Sequence, residues 1–147
     1  MIIAMLFLGI GYSAINNITL NISGTVTAHP ELAVPDAVAY YDVSAAGDGS
    51  VMAYIRDTSS GYTVSYELLI TGEGEMESYD AHAELPYSAF LDKITQVTIE
   101  EGVTNVGAYA FGNSYEFATN LTSVSLPSSL SSIGEYEFFW FSQISNI

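Results

Sequence analysis

From Ile94 to Phe111 the chain reads ITQVTIEEGVTNVGAYAF, and from Leu121 to Phe138 it reads LTSVSLPSSLSSIGEYEF. Set against each other 27 residues apart, Ile94 falls on Leu121, Val97 on Val124, Ile99 on Leu126, Val103 on Leu130 and Val106 on Ile133. Gly107 falls on Gly134, Tyr109 on Tyr136 and Phe111 on Phe138. Each pair keeps its chemical type. A fixed period of roughly 20 to 50 residues predicts an array of stacked units. The alternation of Val97 with Ile99, and of Val124 with Leu126, predicts a short strand with one buried face at the start of each unit. A turn follows, Glu100-Glu101-Gly102 or Pro127-Ser128-Ser129, and then a second apolar stripe, Val103, Val106, Tyr109 and Phe111 in the first copy. Gly107 and Gly134 are expected at a sharp bend or at positive φ, where a Cβ is costly. One unit cannot bury its own apolar edge and must stack on a neighbour. The predicted repeat core is therefore Ile94, Val97, Ile99, Val103, Val106, Gly107, Phe111, Leu121, Val124, Leu126, Leu130, Ile133, Gly134 and Phe138.

Upstream, the pattern has a period of two. Ile18, Leu20 and Ile22 alternate with Thr19, Asn21 and Ser23, which predicts a half-buried strand ending near Gly24. HPELAVP, residues 29–35, carries two prolines and reads as a linker or irregular entry. Beyond it the runs 37–43, 51–55 and 62–71 are rich in Tyr, Val, Ile and Thr and predict strands separated by the turns SAAGDGS and DTSSG. No helical period occurs between residues 30 and 80. At the far end, Ile144 and Ile147 repeat the spacing of Leu121 and Val124, as if a third unit were starting. The expected architecture is mainly β: a short solenoid of two units, preceded by a β-rich capping segment. The expected divisions are an apolar, export-like segment with the first strand at 1–28, a β-rich capping region at 29–92, and the two repeats at 93–147.

Composition narrows what such a scaffold can do. Only 13% of the 147 residues are charged, about half the usual share of roughly 25%. The polar surface must therefore be built largely from Ser, Thr, Asn, Tyr and Gly. Seventeen acidic residues stand against two basic ones, Arg56 and Lys93, for a net charge of −15. That excludes nucleic-acid binding and docking on an anionic membrane, both of which require Lys and Arg, and favours cationic partners or divalent ions. The absence of Cys removes thiol catalysis, cysteine zinc sites and disulfides. The apolar start MIIAMLFLGI is about 15 Å long as a helix, too short to cross a bilayer core of about 30 Å. Its length matches the apolar region of a signal peptide with cleavage after Ser13, although no basic residue precedes Arg56.

Candidate chemistry is sparse. Glu73, Glu75, Glu77, Asp80 and Glu84 form an acidic run. Glu73, Glu75, Glu77 and Asp80 are calcium candidates, since Ca²⁺ takes about six to eight oxygens. A carboxylate pair there would also suit glycoside hydrolysis. The plainer reading is a solvated, charged edge that resists strand-to-strand aggregation. DVSAAGDGS, residues 42–50, lacks the spacing of a calcium loop and reads as a glycine-rich turn. His29 and His82 are far apart and read as surface or packing residues. No G-x-S-x-G, G-x-G-x-x-G or P-loop motif occurs. Three N-x-[ST] sequons, at Asn17, Asn21 and Asn120, are expected by chance in an Asn- and Thr-rich chain. Outside the repeat, Tyr40, Tyr41, Tyr54, Tyr62, Tyr66, Tyr79 and Tyr87 serve either packing or the binding of sugars and proteins.

LTSVSLPSSLSSIGEYEF resembles the bacterial surface leucine-rich repeat of the BspA type, whose units read roughly L-x-x-V-x-I-P-x-x-V-x-x-I-G-x-x-A-F. Pro127 and Phe138 match it, whereas Glu137 replaces the usual Ala. The first copy has Glu100 in place of Pro but keeps Ala110 and Phe111. LLITGEGEMESY, with Gly72 and Gly74 leading to Pro86-Tyr87, is similar to the segment that precedes such repeats, so the resemblance covers about residues 62–138. It implies a secreted or cell-surface protein that binds a protein or glycan ligand, adhesin-like, with no catalytic residue, no cofactor and no stable membrane span in the mature chain. Two other roles fit the same pattern: a structural subunit of a surface or biofilm-matrix fibre, and an accessory module of a secreted hydrolase.

Overall fold

The computed structural model describes residues 34–112 and 118–135. The apolar start, the strand expected at Ile18 to Ile22, Tyr136, Phe138, Ile144 and Ile147 lie outside them. The described chain is mainly β. Its strands are β1 (Ala37–Asp42), β2 (Val51–Asp57), β3 (Tyr66–Gly72), β4 (Gly74–Glu75), β5 (Ile94–Ile99), β6 (Val103–Val106), β7 (Ser123–Ser125) and β8 (Ser132–Ile133). A 3-10 helix, Ser88–Lys93, had no counterpart in the sequence pattern. One sheet has the order β1-β2-β3-β5-β7 and a smaller one the order β4-β6-β8. β1, β2 and β3 are antiparallel, whereas β3-β5-β7 and β4-β6-β8 are parallel. The parallel arrangement thus begins at β3 and β4, upstream of the two copies visible in the sequence.

The turn between β1 and β2 closes on its own side chains. The Asp42 carboxylate accepts from the Ser44 N–H at 3.0 Å and the Gly49 N–H at 3.1 Å. The Ser44 hydroxyl accepts from the N–H groups of Asp48 at 3.0 Å and Gly49 at 3.2 Å. Hydrogen bonds from Ser44, side chain first and then backbone, hold the Asp42 carboxyl below its usual pKa. Gly47 and Gly49 supply the left-handed backbone the turn needs, with φ of 64° and 75°.

Register decides which side chains meet. Ala39 faces Ile55, Ile55 faces Leu68, Leu68 faces Val97, and Val97 faces Val124. Beside that row runs Tyr41, Ala53, Ile70 and Ile99. Ile55, Leu68, Val97 and Val124 are at most 2% exposed and form the floor of the core. Val103 and Val106 on β6, with Met76, Leu85, Tyr87, Leu91, Phe111 and Leu121, fill the remainder. Tyr87 is fully buried yet satisfied, donating its hydroxyl to the Ala110 carbonyl.

The positive-φ alternative for the two repeat glycines is corrected. Neither Gly107 nor Gly134 has positive φ; Tyr109, at 58°, does. A Cβ on Gly107 would lie 1.8 Å from the Glu77 carbonyl oxygen, and one on Gly134 would lie 2.4 Å from the Ala108 nitrogen. These glycines are required by the close approach of the neighbouring segment. The predicted enclosure of the second copy is also incomplete. Leu126 and Leu130 are partly buried, and Ile133 is 41% exposed. β8 pairs with β6 on one side and with no other strand among the described residues, which leaves Ile133 uncovered.

The Ser, Thr and Asn residues that replace charges join one copy to the next. Thr122 Oγ1 donates to the Thr95 carbonyl at 3.1 Å, and Ser131 Oγ to the Thr104 carbonyl at 2.8 Å. Asn120 Nδ2 donates to the Asp92 carbonyl at 2.6 Å. Ser129 Oγ donates to the Val103 carbonyl at 2.8 Å and accepts from the Gly102 N–H at 3.1 Å. Glu101 completes the junction, its two carboxylate oxygens accepting from the N–H groups of Ser128 at 2.8 Å and Ser129 at 3.0 Å. Those bonds, Ser128 first, hold the Glu101 carboxyl below its ordinary pKa. A depressed folded-state pKa stabilises the fold above the ordinary carboxylate value, near pH 4.3, and that contribution is lost as pH falls through the folded-state value. Glu101→Gln is therefore expected to lower the urea midpoint at pH 7, with the gap to wild type closing toward pH 3. Equal gaps at both pH values would mean the junction does not depend on the charge.

Candidate functional site

The outer face of the large sheet carries the side chains that alternate with the core. One cross-strand row runs Tyr40, Tyr54, Leu69, Thr98, Ser125. The next runs Arg56, Glu67, Gln96, Ser123. The face is thus aromatic and apolar on its antiparallel side and hydroxyl-rich on its parallel side. Tyr40 and Tyr54 pack with ring centroids 6.3 Å apart. Burial, then the neighbouring Tyr40, pushes the Tyr54 phenol above its usual pKa. Val38, on β1, is 53% exposed.

A polar network ties the second row together. Glu67 is only 7% exposed and accepts from Arg56 Nη1 at 2.9 Å, Gln96 Nε2 at 3.2 Å and Thr98 Oγ1 at 2.5 Å. One of the chain's two cations is thus committed to a buried carboxylate. Arg56→Met leaves Glu67 with one fewer charged donor and is expected to cost about 1–3 kcal/mol. Adding Glu67→Gln should recover part of that loss in a double-mutant cycle. Strict additivity in urea unfolding would show that the pair is uncoupled.

Two depressions lie along the rim where the parallel strands end. One, of about 460 Å³, is lined by Ile99, Glu100, Glu101, Ser125, Leu126 and Pro127. The other, of about 320 Å³, is lined by Tyr54, Arg56, Leu69, Thr71 and Glu100 together with Val34 and Pro35. They meet at Glu100.

The calcium expectation is not met. Among the described residues no group of three or more His, Asp or Glu is placed to hold a metal ion. Glu73, Glu75, Glu77 and Asp80 are all exposed rather than gathered around a common point. Tyr79, half-buried behind them, has its phenol pushed up to about 12, by burial first and then by the charges of Glu77 and Asp42. At neutral pH it is a protonated packing residue. Of the other tyrosines, Tyr41 and Tyr66 pack against the core and Tyr87 lies within it, whereas Tyr62 is wholly exposed at the β2–β3 turn. Sequence reasoning missed Arg56, Glu67 and Glu101. Their signal was weak: one charge within an alternating run, and one acid in a turn.

The model of a family described as BspA type leucine rich repeat region (6 copies) matches residues 83–147. Over that stretch the chain is similar to the BspA-type leucine-rich repeat. The chain is also similar to a crystal structure of a leucine-rich repeat protein from Eubacterium ventriosum, with 25% identity and a TM-score of 0.55. The similarity covers 74% of this chain and 27% of that protein, so the chain spans about a quarter of its length. A comparison with curated proteins gives no match. Leucine-rich repeats of this kind generally mediate protein interaction and carry no catalytic residues. Among the described residues, no helix is long and apolar enough to cross a membrane.

Proposed function

We propose that this leucine-rich repeat chain is a non-enzymatic, adhesin-like binding module of a secreted or cell-surface protein. In this reading residues 66–135 are parallel coils of a short solenoid, β1 and β2 close its upstream side, and the outer face of the large sheet meets a protein or glycan ligand. The observation that carries the reading is the pair of cross-strand rows. They set Tyr40, and the buried Tyr54 and Leu69, 4% and 6% exposed, beside Thr98, Ser123 and Ser125 on one face of the sheet. The exposed part of that face, Gln96 and Ser125 among it, offers uncharged hydrogen-bonding groups that cost less to desolvate than charges. A second reading, a fibre subunit, is supported by the exposed Ile133 at the outer strand of the small sheet.

The test is surface plasmon resonance of the purified chain over immobilised extracellular-matrix proteins and a glycan array. Saturable binding is expected, abolished by Gln96→Arg on the outer face while circular dichroism shows the variant still folded. Binding untouched by Gln96→Arg would overturn the assignment of the face. Filaments in the electron microscope, abolished by Ile133→Lys, would favour the fibre.

A further inference from the structure

We infer that the rim of the large sheet binds an extended peptide segment carrying one Lys or Arg flanked by apolar side chains, with Glu100 as its anchor. This deepens the protein-interaction reading and rests on it. The two rim depressions share Glu100 as a lining residue, which places a carboxylate where they meet. Leu69 and Tyr54, 6% and 4% exposed, form the floor of one depression, and the half-buried Leu126 and Pro127 line the other.

Glu100 is the charge that the rim leaves uncompensated. Its backbone is pinned, the N–H donating to the Ile70 carbonyl at 2.9 Å. Its side chain is exposed and has no hydrogen bond or ion pair with any described residue. The adjacent Glu101 is committed to the amides of Ser128 and Ser129. Arg56, which lines one of the depressions, is held by Glu67, and Lys93 pairs with Asp92 at 3.0 Å. Both cations of a chain with net charge −15 are thereby used, so no cation of the chain is left to pair with Glu100. In the second copy the equivalent position is Pro127; the carboxylate belongs to the first copy alone.

An extended chain fits this layout. Side chains two residues apart point the same way and are about 6.6–6.8 Å apart along a strand. A Lys or Arg on Glu100 thus places its i−2 and i+2 neighbours over the two depressions. The overall negative field speeds the encounter with a cationic segment. A divalent cation is a poorer fit, because among the described residues no third carboxylate or His joins Glu100 and Glu101.

The test is a titration of the full ¹⁵N-labelled chain with the blocked peptide Leu-Thr-Lys-Thr-Leu, followed by NMR shifts. Saturable shifts centred on Glu100, Leu69 and Leu126 are expected, weakened by 0.5 M NaCl. Glu100→Gln should weaken binding about tenfold, the loss of one charged contact. Glu100→Lys should abolish it and instead capture the peptide with Glu at its centre. Tyr62→Ser, at the exposed β2–β3 turn, should leave it unchanged. Shifts elsewhere, or affinity indifferent to Glu100→Gln and Glu100→Lys, overturn the inference. If a matrix protein binds in a Gln96-dependent way but is neither displaced by the peptide nor affected by Glu100→Lys, the rim inference fails while the general reading stands. If the peptide binds through Glu100 and no matrix protein or glycan binds at all, the outer-face reading fails instead.

Discussion

Gly107→Ala is expected to destabilise the protein by about 3 kcal/mol or more, at or above the upper end of the cost of overpacking a core. The added methyl carbon would lie 1.8 Å from the Glu77 carbonyl oxygen, well inside any contact distance. Neither side can give way cheaply. The Glu77 N–H is tied to the Val43 carbonyl at 2.8 Å, the Met76 N–H to the Asn105 carbonyl at 3.1 Å, and the Tyr79 N–H to the Ala108 carbonyl at 2.9 Å. Gly107 has no positive φ, so backbone strain adds nothing and the cost is steric. Gly47→Ala makes the control: its φ of 64° disfavours a side chain, but nothing lies within 4 Å of the new carbon. It should cost only about 1 kcal/mol. In thermal melts followed by circular dichroism, a 3 kcal/mol loss lowers the midpoint by about 6–12 °C in a chain of this size. Equal midpoints for Gly107→Ala and Gly47→Ala would mean that the two segments do not approach as described.

Phe111→Ala has an expected cost of about 3–5 kcal/mol, the loss of transfer free energy plus that of an unfilled cavity. Phe111 is 1% exposed and belongs to the same cluster as Val106, Tyr87 and Leu121. It also marks the end of the first copy. Val38→Ala, at a residue 53% exposed on the outer face, should change stability by no more than about 0.5 kcal/mol. Urea unfolding compares the two directly. A Phe111→Ala loss below about 1 kcal/mol would place that side chain outside the core.

Much of this was legible in the sequence because hydrophobic spacing is a local property. The alternation of Val97 with Ile99 and the run AVAYYDV each declared a strand, and the structure has β5 and β1 there. The 27-residue recurrence announced which strands would lie side by side, and Val97 does pair with Val124. The family resemblance rested on the same residues. The helix Ser88–Lys93 escaped notice because six residues are too few to show a period. The glycines were read correctly as constrained but for the wrong reason, since a neighbouring carbonyl leaves no mark on the sequence around Gly107.

The amino-acid order by itself determined the period, the strands, the buried face and a surface nearly without cations, since these depend on side chains a few positions apart and on composition. Only the tertiary structure decided that β3 and β4 extend the parallel ladders upstream of the copies. It alone brought Glu67 under Arg56 and left Glu100 between two hollows. Those outcomes depend on which residues, 11 to 31 positions apart, meet across strands, and such meetings are set by register and closure of the fold.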